Sequence, residues 1–202
     1  VSYITLQELK NNAELVGVSF ADYDAEIHIA AACAGIDEYT GRTFTSSVGT
    51  RYYTPVDRWH LDIDDAINVT SVMTDYDGDG TFETTWTENT DYVLVPLNAT
   101  ANGEPFDELQ MKRYPYSSHI LPMWPRSVQV QGTFGWPAVP APIKSAAMIM
   151  SMRLLRRARE APFGIVGLGI DNVAVRISKV DPDLAWLVDP FIKGPGAGVM
   201  IS

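Results

Sequence analysis

The sequence predicts an α+β protein: a helical bundle of about four helices with a large antiparallel, β-rich insertion between the second and third helices. Three observations predict it. Helical apolar periodicity with cap signals fills roughly the first 45 residues. From Arg51 to Thr133 the period changes to two and β-branched and aromatic residues dominate. Helical periodicity then returns after Pro137, Pro140 and Pro142. At 202 residues and 46% hydrophobic content the chain can bury a core, and it reads as a single domain. Its parts are N-terminal helices (1–45), a β-rich insertion (50–135), C-terminal helices with a glycine loop and a strand (141–191), and a tail (192–202).

The first helix starts on a capping box. Thr5 can accept from the Glu8 amide while the Glu8 carboxylate reaches back to the Thr5 amide, and Ile4 with Leu9 can staple the turn. This helix is expected from Leu6 to Val16, with Gly17 ending it. The second is expected from Asp22 to Thr40, with Gly41 as its stop. Tyr23, Ile27, Ala30 and Ala34 form one of its stripes and Ile29, Cys33 and Ile36 another. Its alanine-rich middle permits close helix approach.

Strands are expected at Arg51 to Thr54, Ala66 to Asp75, Thr81 to Thr87, Tyr92 to Val95, Glu108 to Arg113 and Ser127 to Phe134. Pro96 to Pro125 is heavy in Pro, Asn, Tyr and Gly and reads as irregular loop around one strand. The next helix has Pro142 at its first position and runs to about Glu160. Ile143, Ala146, Ala147, Met150, Leu154 and Ala158 make one stripe; Met148, Met152 and Leu155 make a second. Two stripes mean either burial on both sides within this chain or one face for a neighbouring subunit. Arg153, Arg156, Arg157 and Arg159 complement the dipole at the C-terminal end and form the one dense basic patch of the sequence.

Composition narrows the function. Fifteen Lys and Arg against 25 Asp and Glu give a formal charge of -10, which disfavours general DNA binding. One cysteine, Cys33, leaves no internal disulfide framework, fits a reducing compartment and reads as a small apolar core residue. No uncharged apolar run approaches the roughly 20 residues of a membrane helix. The start VSYITLQELK lacks the basic and apolar regions of a signal peptide, so a protein soluble and not exported by that route is expected.

Chemistry-bearing motifs are few. Asp75, Asp77 and Asp79 with Gly80 reproduce the front of a calcium loop, but its twelfth position is Trp86 where that loop needs a glutamate. A tight hairpin turn uses the same residues. His28, His60 and His119 form no zinc signature, Cys33 has no evident base, and no nucleophile elbow occurs. The carboxylates Asp62, Asp64 and Asp65 read as a solvated acidic face. Gly164, Gly167 and Gly169 follow a helix and precede a strand, the reverse of a dinucleotide site, and read with Gly194, Gly196 and Gly198 as mobile loops. The sequence therefore predicts no enzyme, no cofactor and no metal. The Asp75 to Glu83 loop and the aromatic Tyr114 to Trp124 segment leave open a calcium-dependent or carbohydrate-binding β module of a tail or surface protein. A hydrolase built on scattered carboxylates ranks last.

A series of short segments occurs in a familiar order: Tyr39-Thr-Gly41-Arg42-Thr-Phe44, Thr50-Arg51-Tyr52-Tyr53, Asp77-Gly-Asp79-Gly80 to Trp86, Gly132-Thr-Phe-Gly135-Trp136, Pro162-Phe163-Gly164 and Val180-Asp181-Pro182-Asp183. Over nearly the whole chain this order resembles the head-tail connector, or adaptor, proteins of tailed bacteriophages and related gene transfer particles. The resemblance implies a structural virion protein at the head-tail junction, made in the host cytoplasm. It implies a ring, typically dodecameric, beneath the portal protein. Such a ring extends a channel through which duplex DNA passes and offers a platform to the next neck or tail completion protein. It makes Met148, Met152 and Leu155, with Arg153 and Arg156, a subunit interface. It sends the tail to the portal through Phe191, Ile192, Val199, Met200 and Ile201.

Overall fold

The computed structural model describes residues 2–15, 21–113, 120–160 and 182–194. The protein is mixed α/β, with a six-stranded antiparallel sheet and five helices among the described residues. Contacts divide it into two compact units, Val1–Arg42 with Val139–Ile192, and Thr43–Ala138 with Lys193–Ser202. Gly17, the glycine loop at 164–169 and the strand expected after it lie outside the described residues.

The first unit is helical. Helix α1 (Leu6–Leu15) opens on the capping box read from the sequence. The Thr5 amide donates to Glu8 Oε2 at 2.6 Å and the Glu8 amide donates to Thr5 Oγ1 at 3.1 Å. These bonds hold the Glu8 carboxyl below its ordinary pKa. Ile4 and Leu9 are both buried, as the staple requires. Helix α2 (Asp22–Thr40) ends on Gly41, whose φ of 66° is left-handed and whose amide donates to the Asp37 carbonyl. Helix α4 (Ala141–Glu160) packs on α1, α2 and α5 (Pro182–Val188), and a 3-10 turn (Asp189–Phe191) follows α5. Helix α4 begins at Ala141, so Pro142 stands at its second position. At Gly35 the helices α2 and α4 come so close that an added Cβ would meet Met150 Cε at 3.0 Å.

Helix α2 buries Ala25, Ile29, Ala32, Cys33 and Ile36. The other stripe, Tyr23, Ile27, Ala30 and Ala34, is exposed throughout. Of the two stripes read from the sequence, only the Ile29, Cys33 and Ile36 stripe is buried, because a helix packed on one side buries only one of two opposed faces.

The second unit is the sheet, with strand order β1-β6-β2-β5-β4 and β3 paired to the end of β2. The strands are β1 (Ser47–Tyr53), β2 (His60–Thr74), β3 (Thr84–Trp86), β4 (Tyr92–Val95), β5 (Phe106–Met111) and β6 (Val128–Phe134). Only β4 has the bounds read from the sequence. Strand β1 begins earlier because its polar Ser47 pairs with Phe134 at the far end of β6. Strand β2 begins six residues earlier, since Leu61 and Ile63 point to the core while His60, Asp62 and Asp64 point outward. A single helical turn, α3 (Ala99–Asn102), interrupts the stretch expected to be loop, and Gly103 caps it. The core gathers Leu61, Ile63, Val72, Leu109, Val128, Val130 and Phe134. Trp86 is buried in it and donates its indole N–H to Thr74 Oγ1 at 2.9 Å. Among the described residues no helix is long and apolar enough to cross a membrane.

Gly132 and Gly49 face each other across β6 and β1. A Cβ at Gly132 would lie 2.3 Å from the Asn68 carbonyl oxygen, whereas one at Gly49 would meet nothing within 4 Å. Gly132→Ala is therefore expected to cost about 1–3 kcal/mol in urea unfolding. Gly49→Ala should stay within about 0.5 kcal/mol of wild type. Equal effects at the two positions would contradict this reading of the sheet.

Candidate functional site

The sharpest sequence motif is a closed hairpin loop. Strands β2 and β3 pair from Val72↔Trp86 to Thr74↔Thr84, which leaves residues 75–83 to turn the chain. Asp75 is buried, and its two oxygens accept the amides of Gly78 (2.7 Å) and Gly80 (2.9 Å). Asp77 accepts the Asp79 amide and Asp79 accepts the Thr81 amide. Gly78 and Gly80 have φ of 80° and 90°, values that favour glycine. Desolvation alone would raise the Asp75 pKa; the amides of Gly78 and Gly80 outweigh it and hold the carboxyl below its ordinary value.

Among the described residues, Asp75, Asp77 and Glu83 form the one group of three or more potential metal ligands whose ligand atoms lie within 4.8 Å of one another. These could approach a cation, and Asp79 is not of their number. Trp86, at the twelfth position of the calcium pattern, is a buried strand residue and supplies no ligand. The loop lies against the 120–124 segment: the Tyr76 hydroxyl donates to the Ile120 carbonyl at 2.7 Å, and Trp124 Nε1 is the nearest atom to a Cβ built on Gly78. Residues 114–119, His119 included, lie outside the described residues.

Several of the other chemistry-bearing side chains have structural partners. Asp64 pairs with Arg51 at 2.6 Å and accepts the Tyr53 hydroxyl at 3.0 Å. Burial and the neighbouring Asp64 charge push the Tyr53 pKa up. Asp65 accepts the Trp136 indole N–H at 2.8 Å. Asp62 stands across from Glu108, and burial together with that charge raises its pKa. His60 Nδ1 lies 2.6 Å from Glu108 Oε1. Cys33 is buried, accepts the Tyr3 amide at 3.3 Å, and has its thiol pKa raised by burial.

Helix α4 corrects part of the expected interface. Met152 is 9% exposed and Leu155 2%, so both are packed within their own chain and cannot cover a neighbour. Met148 is half-buried, whereas Arg153, Arg156 and Arg157 are exposed. Both apolar stripes of α4 meet neighbours in its own chain because α1, α2 and α5 all pack on it. The exposed apolar stripe is on α2 instead, where the same doubled periodicity was the available signal. Near the C-terminus, Phe191 is half-buried and Ile192 is 43% exposed; Val199, Met200 and Ile201 lie outside the described residues. Trp186 on α5, which sequence reasoning passed over, is 78% exposed. The Tyr39 hydroxyl donates to Asp189 Oδ1 at 2.7 Å and ties α2 to the 3-10 turn.

These features define a class of protein with exposed helix faces and fold-holding polar groups. No protein-family model and no curated protein matches the sequence. Solved structures do match the fold. A chain in the neck of an empty gene transfer agent (GTA) particle, computed with C6 symmetry, superposes with a TM-score of 0.59 at 17% identity, covering 98% of this chain and 93% of that one. A chain in the neck of the native particle, computed with C12 symmetry, gives 0.54 at 18% identity, over 98% and 92%. A chain of the native virion gives 0.55 at 19%, over 98% and 93%. At these identities the likeness establishes a shared fold.

Asp75→Asn should lower the melting temperature at neutral pH, since it puts an amide group where two backbone N–H groups need acceptors. The contribution of the wild-type carboxylate is complete above its ordinary pKa of 3.8 and is lost as pH falls through the lower folded value. The difference in melting temperature between wild type and variant, followed by circular dichroism, should therefore shrink below about pH 4. A difference that persists unchanged to about pH 2 would show that the Asp75 charge is not what closes the loop.

Proposed function

We propose that this chain is a head-tail connector, or adaptor, subunit of a tailed phage or gene transfer particle. It assembles as a ring beneath a portal protein, extends the DNA channel and links the capsid to the next neck or tail protein. The observation that carries the reading is the extent of the fold likeness: 98% of this chain and 93% of a chain in a particle neck superpose. Little of this chain is left over to supply a separate activity. The helices form the platform in this reading, and the sheet is an insertion between α2 and α4. A ring of twelve copies is compatible with both symmetries under which the neck structures were computed, because a twelvefold axis contains a sixfold one.

Charge supports the conduit role. A net charge of -10 gives duplex DNA little to bind, whereas a basic lining would retain it through counterion release. The C-terminal segment supplies the portal contact in this reading. Exposed Trp186 and Ile192 with half-buried Phe191 lead into the tail, and Val199, Met200 and Ile201 complete the docking segment. Large amphipathic side chains of the Trp type are the usual anchors of such contacts.

The test is to mix the purified protein with the portal ring of the same particle and image the product by electron microscopy. A ring of added density beneath the portal is expected with the full chain, and its loss is expected when residues 192–202 are deleted. If the full chain adds no density, the connector reading fails; if the deletion leaves the ring in place, the portal-docking role of the tail fails.

A further inference from the structure

We propose that adjacent copies in the ring meet through two different helix faces: the exposed stripe of α2 on one copy and the exposed ridge of α4 on the next. This rests on the ring reading above and names the surface by which a second copy of the chain is recognised. Tyr23 is 74% exposed and Ile27 48%, and they stand on α2 opposite its buried row. Ala30 and Ala34 continue the stripe and are exposed as well. The alanines leave a shallow recess beside two large apolar side chains. On α4, Ser145, Ile149, Arg153 and Arg156 are spaced to form one exposed ridge, with Ile149 at its middle. A branched side chain centred on one helix and small residues centred on the other permit close ridge-into-groove packing.

Charge selects the partner. Helix α2 carries exposed Asp24, Glu26 and Glu38 and has no Lys or Arg anywhere in its length. Helix α4 carries no carboxylate before Glu160, and its Arg156 and Arg157 are exposed. Two α2 faces would repel each other, as would two arginine ends of α4, while one of each attracts. A two-fold dimer that pairs either face with itself is thus disfavoured. The favoured contact is heterologous, and repetition of a heterologous contact closes into a ring when the rotation permits.

The test uses the full chain assembled on the portal ring. Ala30→Cys and Ile149→Cys are combined in one chain and oxidised, then read on a denaturing gel. A ladder of covalent multimers is expected from the double variant, and none beyond dimer from either single variant. Native Cys33 is buried and contributes no background. In a second arm, Arg156→Glu with Arg157→Glu should reduce assembled subunits by about tenfold or more at low salt. Adding Asp24→Arg and Glu38→Arg to the same chain should restore assembly, a rescue that damage to folding would not give. Rings that form without a ladder, or charge reversal without effect, would overturn the α2–α4 contact and leave the connector reading standing. If wild-type protein forms no ring, the connector reading fails and takes this contact with it.

Discussion

The close approach of two backbones at Gly132 is the constraint on which the sheet depends. Strand β2 is 15 residues long and serves three partners: β5 along its first part, β6 along its second and β3 at its end. Its pairing with β6 shifts register between Ala66 and Asn68 and again between Val69 and Ser71. Such irregularities crowd the backbone, and here the Asn68 carbonyl occupies the space a side chain at position 132 would need. Gly135 is in the same condition, with φ of 111° and the Thr45 carbonyl 2.0 Å from an ideal Cβ. Through β6 the constraint reaches β1, whose only partner strand among the described residues is β6, and so this end of the sheet hangs on a residue with no side chain.

In the helical unit the governing fact is which helix face, among the described residues, is left without neighbours. Helix α4 has α1, α2 and α5 packed on it, and Met152 and Leu155 go into those contacts. Helix α2 meets its neighbours through a row rich in small residues, Ala25, Ala32 and Cys33 among them. Small residues bring helices close but bury little apolar area per residue. The bulkier Tyr23 and Ile27 remain on the outward face together with the acidic residues. Surplus apolar surface of this kind, framed by charges of one sign, is what a contact with another chain consumes.

The parts of the fold that were legible in the sequence are those fixed by local chemistry. The Thr5–Glu8 box set the start of α1, and Gly41 set the end of α2 at Thr40, because a cap is satisfied within a few residues. The Asp75 hairpin was legible for the same reason. Illegible were features decided by distant pairing. The polar start of β1 is a strand only because β6 lies beside it, and the charged start of β2 only because β5 pairs with it at His60 and Leu61. Helix α3 was missed because a single turn is too short to carry a period. For the candidate interface, doubled periodicity was visible on both α2 and α4, but the face left outward depends on how many helices surround each. That number is a tertiary property.

Under the proposed ring contact, the chain separates stability from assembly. The exposed stripe of α2 and the exposed Arg156 and Arg157 of α4 add little to burying the core of their own unit, so under the proposed contact they can be tuned for a neighbour. One heterologous contact between two copies leaves an unused acidic face at one end and an unused basic face at the other. Short open arcs therefore keep exposed the apolar and charged surface that drove their formation, and closure removes the last pair at once. A contact too weak to hold two free copies together can still hold a closed ring. In the proposed ring each subunit is retained on two sides, and a template raises the effective concentration of each new neighbour. The acidic balance of the chain fits this scheme. Under the proposed contact, self-repulsion keeps free subunits dispersed, and pairing of Arg156 and Arg157 with carboxylates of the next copy offsets that repulsion only in the correct register.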